Sequence, residues 1–370
     1  MINQLKTVLW RCGTAGRILL AAIALQVLSS LVQPAFGQAV SGVGTSSAAF
    51  LKIGVGGRGL GMGEAQATQA QDITAMFWNP AGLAQIQKMQ ILLNHYDYLV
   101  DMQFEYAGVA IPVGNLGTFG FFFSYLGMPD IERTTITMPD GTGEMVSASS
   151  MAAGISYARA LTDRFAIGGT AKMIRESLWH SHAGGLAADI GVQYRTFFKN
   201  LKIGMSISNF GSDMQMDGRD MLVQHDIDVT SNGNNGNINA YLATDDFPLP
   251  ILFRVGLSAN LAEDFIGLKE HDIIIAADAI HPSDNKEYMN IGAEYSYKHL
   301  ISLRAGYRQL FLQDRQGGLT LGMGLRMRVL NSEVIFDYAS VDFGVLDRQN
   351  KFSLILDRKS TRLNSSHRIR

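Results

Sequence analysis

Leu319-Thr320-Leu321-Gly322-Met323-Gly324-Leu325-Arg326-Met327-Arg328 decides the fold. Every odd-numbered residue is large and apolar, and every even-numbered one is small or basic, so the period is two: an extended strand with unlike faces. The same alternation sets Phe119, Phe121, Phe123 and Tyr125 against Thr118, Gly120, Phe122 and Ser124. It sets Ile291, Ala293, Tyr295 and Tyr297 against Asn290, Gly292, Glu294 and Ser296. Fourteen such runs are expected between Met89 and Leu356. Most are about nine residues or longer, the length a tilted strand needs to cross a bilayer, whereas strands of soluble sandwiches run nearer about five or six.

The connections sort by parity. Those after the second, fourth, sixth, tenth and twelfth runs are short, whereas the two longest, 126–148 and 211–250, follow the third and seventh and so share one side. Short turns at one end and long loops at the other are the habit of an outer-membrane barrel. Opposite the apolar face, the ninth to thirteenth runs carry Asp272, Asp278, Glu294, Arg304, Arg308, Arg326, Arg328, Glu333 and Asp337. Facing lipid, each charge would cost ~2–4 kcal/mol near the midplane, so these are expected to point into the lumen and to pair there. The expected class is therefore all-β: a 14-stranded antiparallel transmembrane β-barrel of outer-membrane type. The alternative is a soluble barrel with a solvated face, which leaves the long apolar face uncovered. No helical span is expected after the leader, for want of an 18-residue apolar run.

Residues 1–37 have the layout of a cleaved signal peptide, with Lys6, Arg11 and Arg17, an apolar stretch over 18–32, and Ala35-Phe36-Gly37 as the cleavage site. The stretch is about 15 residues, short of the ~20 that a membrane anchor needs. At the other end, residues 357–370 look like a translated sequencing-library adapter and are read as foreign to the protein. The formal charge of −2 includes three basic residues from the leader, and five basic and one acidic from the tail; without them it is about −9. That balance argues against nucleic acid as a partner. Cys12, the only cysteine, lies in the leader, which leaves no disulfide and no thiolate site; no metal or cofactor is expected.

Residues 38–88 break the alternation and are expected to fold into the lumen as a hatch. Gly54, Gly56, Gly57, Gly59, Gly61 and Gly63 are too dense for a helix interior or a core strand without close backbone packing. Gly54-Val55-Gly56-Gly57-Arg58-Gly59 satisfies the dinucleotide-binding pattern in letters only, because no βαβ unit or spaced acidic residue follows. Residues 64–75 suit a short helix by composition. Asn79-Pro80 is expected to open a turn or cap a helical turn. The aromatic pair Phe77-Trp78 favours burial in a lumen that fourteen strands leave wide enough to hold it.

The glycine-rich approach, the motif Phe77-Trp78-Asn79-Pro80-Ala81-Gly82-Leu83-Ala84 and the strands that follow resemble the FadL-type outer-membrane barrels, whose N-terminal hatch carries an Asn-Pro-Ala signature. The chain is most similar to the PorV/PorQ branch through Phe50-Leu51-Lys52-Ile53-Gly54-Val55-Gly56-Gly57-Arg58-Gly59-Leu60-Gly61-Met62-Gly63-Glu64-Ala65 and Asp72-Ile73-Thr74-Ala75-Met76-Phe77-Trp78-Asn79-Pro80. That resemblance implies an integral outer-membrane component of the type IX secretion system, one that binds or shuttles secreted proteins at the cell surface and passes them to attachment components. The candidate partner-binding loop is 211–250, with Asp213, Asp217, Asp220, Asp226, Asp228, Asp245 and Asp246; a solvated acidic loop that binds nothing is the plain alternative. The alternative function, that of the FadL branch, is transport of long-chain fatty acids or other hydrophobic molecules. An enzyme is not expected: Ser177, His180, Ser181 and His182 cluster in sequence, but a triad needs a base oriented by a third group. Trp179, Tyr194, Phe197 and Phe198, at strand ends, read as interfacial girdle residues.

Overall fold

In the computed structural model, which describes residues 42–228, 230, 236–262, 270–312, 315, 317–329 and 332–358, fourteen long strands pair with their chain neighbours and close on themselves. They are β1 (Met89–Asp97), β2 (Gln103–Pro112), β3 (Thr118–Gly127), β4 (Ala148–Thr162), β5 (Phe165–Leu178), β6 (Ser181–Arg195), β7 (Lys202–Gly211), β8 (Leu252–Asn260), β9 (His271–Pro282), β10 (Tyr288–Tyr297), β11 (Ile301–Leu310), β12 (Leu319–Val329), β13 (Ser332–Asp342) and β14 (Arg348–Arg358). Every pairing is antiparallel, and β1 closes the barrel against β14 with Leu92 opposite Ile355. Closure removes the exposed edges that would otherwise recruit other chains. No helix among the described residues is long and apolar enough to cross a membrane.

The alternation sets the two faces of the wall. Phe121, Phe123, Leu321, Met323 and Leu325 are exposed on the outside, while Gly120, Ser124, Thr320 and Asp337 face inward and are buried. A wall that is apolar outside and closed on itself is the build of an outer-membrane barrel. Both long connections leave the same end. The first, after β3, folds as a ribbon pairing Ile131–Glu132 with Met145–Val146. The second, after β7, adds Asp217–Gly218 to the end of β6 and pairs Leu222–His225 with Ile238–Tyr241. Its described residues are thus folded in part as paired strands. β14 runs through Asp357 and Arg358, two residues past the expected end, with Asp357 opposite Glu333. Residues 1–37 and 359–370 lie outside the described residues.

Among the described residues, the segment before β1 holds four short helical turns: Ala49–Lys52, Gly57–Gly61, Ala75–Trp78 and Pro80–Gln85. The glycine-rich stretch holds one helical turn, and its backbone packs directly on the wall, the close packing its glycine density calls for. One expectation is corrected. Residues 64–75 do not form a helix. Glu64 is left-handed at φ 66°, and the Ala67 amide, which a helix would pair internally, donates to Asp278 Oδ2 on the wall (2.8 Å), while the Thr68 hydroxyl donates to Ser258 Oγ (2.7 Å).

Candidate functional site

Glycines on the inner wall mark the path of residues 48–86. A side chain at Gly322 of β12 would meet the Gly61 Cα at 2.9 Å, and one at Gly57 would meet the Asp337 backbone at 2.8 Å. On the far wall, a side chain at Gly168 would meet the Pro80 carbonyl carbon at 2.5 Å, and one at Gly191 would run into the Asn79 amide. The small face read from the alternation is therefore the space in which the segment lies. Ser46 and Lys52 reach Asp284 in the turn after β9, at the end bearing the long connections, and Lys88 reaches Glu333 (3.5 Å) and Asp357 (3.6 Å) at the opposite end. Between those points the chain crosses the barrel from mouth to mouth.

Arg58 is the segment's charged anchor. Its Nε and Nη2 meet the two Glu294 oxygens, each at 2.9 Å, in a bidentate fork. Arg304 donates from Nε to the same carboxylate (2.5 Å) and from Nη1 to Asp337 Oδ1 (2.6 Å). Two cations and two anions thus form a buried, internally neutral chain. Beside it, Arg308 pairs with Glu64 (2.8 Å). Of the other charges expected in the lumen, Asp278 is buried against the Ala67 amide, while Asp272, Arg326, Arg328 and Glu333 occupy inward positions near the end where the short turns lie.

Asn79 is the polar anchor. Its Oδ1 accepts from the Ala81 amide (3.2 Å), capping the turn that starts at Pro80, and its Nδ2 donates to the Ala67 (2.6 Å) and Val192 (3.1 Å) carbonyls. Trp78 is buried beside it, with Nε1 bonded to the Val55 carbonyl (2.9 Å), so the two halves of the segment lock together. A side chain at Gly54 or Gly59 would crowd the Trp78 ring, at 2.9 and 3.0 Å. The recurring glycines therefore serve the indole and the wall, and no phosphate.

Between segment and wall lies a cleft of about 20 Å³, lined by Phe50, Leu51, Met76, Phe77, Phe104, Tyr106 and Phe122 with Lys172, Asp189, Ser208, Asn209 and Arg254. That is room for about one water, well short of an aromatic ring. Lys172 pairs with Asp189 (2.8 Å) and donates to Asn209 Oδ1 (2.5 Å). Asn209, at φ 65°, belongs to an irregularity in the β6–β7 register opposite Asp189. The expected lumen charges stopped at the ninth to thirteenth strands and missed this pair. The signal was there in Lys172, which follows Gly168 and Thr170 on the inward face of β5.

The loop aspartates do not converge. Asp220 accepts from the His180 amide (3.2 Å), the Ser181 hydroxyl (3.2 Å) and faces His180 Nδ1 (3.1 Å), while His180 Nε2 faces Arg219 (2.7 Å). The serine thus bonds the carboxylate instead of the imidazole, and the nitrogen a nucleophile would use meets a cation, so the cluster is structural. Partial desolvation pushes the Asp220 pKa up, and the hydrogen bonds from His180 and Ser181 outweigh it, holding the carboxyl below its ordinary range. Asp217 pairs in the sheet with His182, Asp226 and Asp228 bond within their own turns, and Asp213, Asp245 and Asp246 flank the Met214–Phe247 bridge. Ser177 lies opposite His182 on the outward face. Phe197 and Phe198 are exposed at the short-turn end, as a girdle requires, with Tyr194 nearby. Trp179 instead packs at a tilt against the His180 ring, centroids 4.1 Å apart, beneath Arg133.

The closed barrel is matched by solved structures. The toluene transporter TbuX of Ralstonia pickettii superposes with a TM-score of 0.51 at 13% identity, covering 83% of this chain and 99% of that one. The CymD monoaromatic hydrocarbon channel gives 0.52 at 13%, covering 83% and 98%, and the toluene transporter TodX of Pseudomonas putida 0.52 at 14%, covering 82% and 96%. The fold is that of the toluene-transporter barrels. No family model and no curated protein matches the sequence. At this identity the toluene-transporter likeness speaks to architecture, and the side chains must argue function.

Proposed function

We propose that the chain is an outer-membrane channel for hydrophobic small molecules, with residues 38–88 as its plug. The observation that carries this reading is the cleft between segment and wall, where five aromatic rings face a polar side made by Lys172, Asp189, Ser208, Asn209 and Arg254. Architecture agrees, since proteins described as toluene transporters share it. At about 20 Å³ the cleft is closed, so passage requires the segment to shift. This places the transport reading ahead of the secretion reading that the motif resemblance implied.

The test is uptake of radiolabelled toluene by cells carrying the protein, against cells carrying a Phe77→Asp variant that puts a charge in the cleft. Faster uptake with the native chain and loss with the variant support the channel; equal uptake in both, with the barrel present, rejects it.

A second reading keeps the secretion role. Ile136, Met138, Ile227, Tyr241 and Leu242 are exposed on the two folded long loops, a surface suited to a protein partner. Crosslinking from Ile136 and Tyr241 in native membranes is expected to capture secreted proteins sharing a C-terminal domain if that reading holds.

A further inference from the structure

At the short-turn end, below the segment, the β4–β7 side of the barrel opens into a cavity of about 540 Å³. This is within the ~300–1,000 Å³ of small-molecule sites. Its polar lining holds the cations Arg164, Arg195 and Lys202 and one carboxylate, Asp163, with Gln71, Gln85, Gln87 and Gln193 among the neutral groups; the Gln193 Nε2 is already used on the Ala67 and Ala70 carbonyls. Arg164 Nη1 donates to the Thr196 carbonyl (2.7 Å) and Arg195 Nη2 to the Asp163 carbonyl (3.0 Å). Among the described residues, neither guanidinium lies within ion-pair distance of a carboxylate. The Gln71 Nε2 is buried and without a hydrogen-bond partner among them. The opposite side of the same mouth is different: Lys88 pairs with both Glu333 and Asp357, and Arg328 with Glu333 at 3.1 Å. On this side the Arg164 and Arg195 guanidiniums have no such carboxylate partner among the described residues.

Each guanidinium uses one donor on a backbone carbonyl, which fixes its position and leaves further N–H groups directed elsewhere, since Arg carries five. A buried amide donor and two held guanidiniums around one cavity suit a ligand that only accepts. We propose that this vestibule is an oxyanion site, taking a carboxylate- or phosphate-bearing molecule between Arg164 and Arg195 with Gln71 on a further acceptor. The anion comes either from a free solute or from the headgroup of an anionic phospholipid in the adjacent leaflet. The site is separate from the aromatic cleft and does not depend on what crosses it.

The experiment uses the full-length protein in dodecyl maltoside, with inorganic phosphate and citrate as calorimetric probes and glycerol as the neutral control. A parallel arm uses nanodiscs containing phosphatidylglycerol, with native mass spectrometry reading retained lipid. Heat-modifiable migration confirms a closed barrel in each variant. Saturable binding of phosphate or citrate, weakened at least about tenfold in R164Q/R195Q, supports a solute site. D163N, which removes a nearby negative charge, is expected to tighten it. Selective retention of phosphatidylglycerol, lost in R164Q/R195Q, supports the headgroup source. No saturable binding in either arm, or equal binding by R164Q/R195Q, overturns the proposal.

Discussion

The wall built from β10–β13 and the wall built from β5–β7 hold the same segment by different physics. On the first, Arg58 is clamped in a chain of buried charges and the glycine backbone lies directly against Gly322 and Asp337. On the second, the Pro80 turn rests on Gly168 and Gly191, and Asn79 alone reaches the strand carbonyls. A buried ion pair is worth little against an apolar replacement, yet costs much when one partner is removed. Packing fails more gradually. The glycine arm is therefore the end that is held tightly and released abruptly, and the Asn-Pro-Ala end is the one that yields by degrees.

The largest effect is expected from Glu294→Ala, which strands Arg58 and leaves Arg304 with Asp337 alone, at a cost of about 3–5 kcal/mol. Protease is then expected to cut within 54–64 while the barrel still migrates as a compact species; an uncut segment would remove the electrostatic half of the contrast. Gly191→Val comes next, forcing the Asn79 turn off the wall for about 1–3 kcal/mol. In a Trp179→Phe background, Trp78 emission is expected to shift to the red. Asn79→Ala removes a cap and its carbonyl contacts for about 1 kcal/mol and is expected to loosen 79–85 in hydrogen exchange, leaving 57–63 protected. Equal loosening of both stretches would show that the two ends are not independent.

The smallest effect lies outside the lumen. Because the Asp220 carboxyl is held below its ordinary range, its ionised form favours the docked loop. That contribution is present at neutral pH and is lost as pH falls through the lowered value. Pepsin cleavage around 217–222 is expected to rise as the medium is acidified below the ordinary aspartate range, and Asp220→Asn is expected to remove that dependence.

The wall was legible in the sequence because a period of two has one interpretation when both faces run this long: Leu319 to Arg328 alone tells lipid side from lumen side. All fourteen strands follow from that rule. The segment was legible as a motif but not as a shape, since the partners of Glu64, Ala67 and Thr68 lie on strands roughly two hundred residues away and override local helix propensity. The alternation places Lys172 on the inward face, but its pairing with Asp189 stayed hidden, because a lone charge looks the same whether it meets water or a partner on the next strand. The fate of the Asp220 carboxylate was beyond reach for the same reason, as its bonds to His180 and Ser181 join two separate turns.

The bidentate Arg58–Glu294 contact joins residues 236 positions apart, and the Thr320 hydroxyl reaches the Gly61 carbonyl across 259. Contacts at such separation form late, since the intervening chain must be ordered first. The glycine arm therefore settles only when the last third of the wall has been made. In biogenesis, the glycine arm, made before any strand of the wall, is among the last parts to dock, and a half-assembled molecule presents an open trough before it presents a filled one.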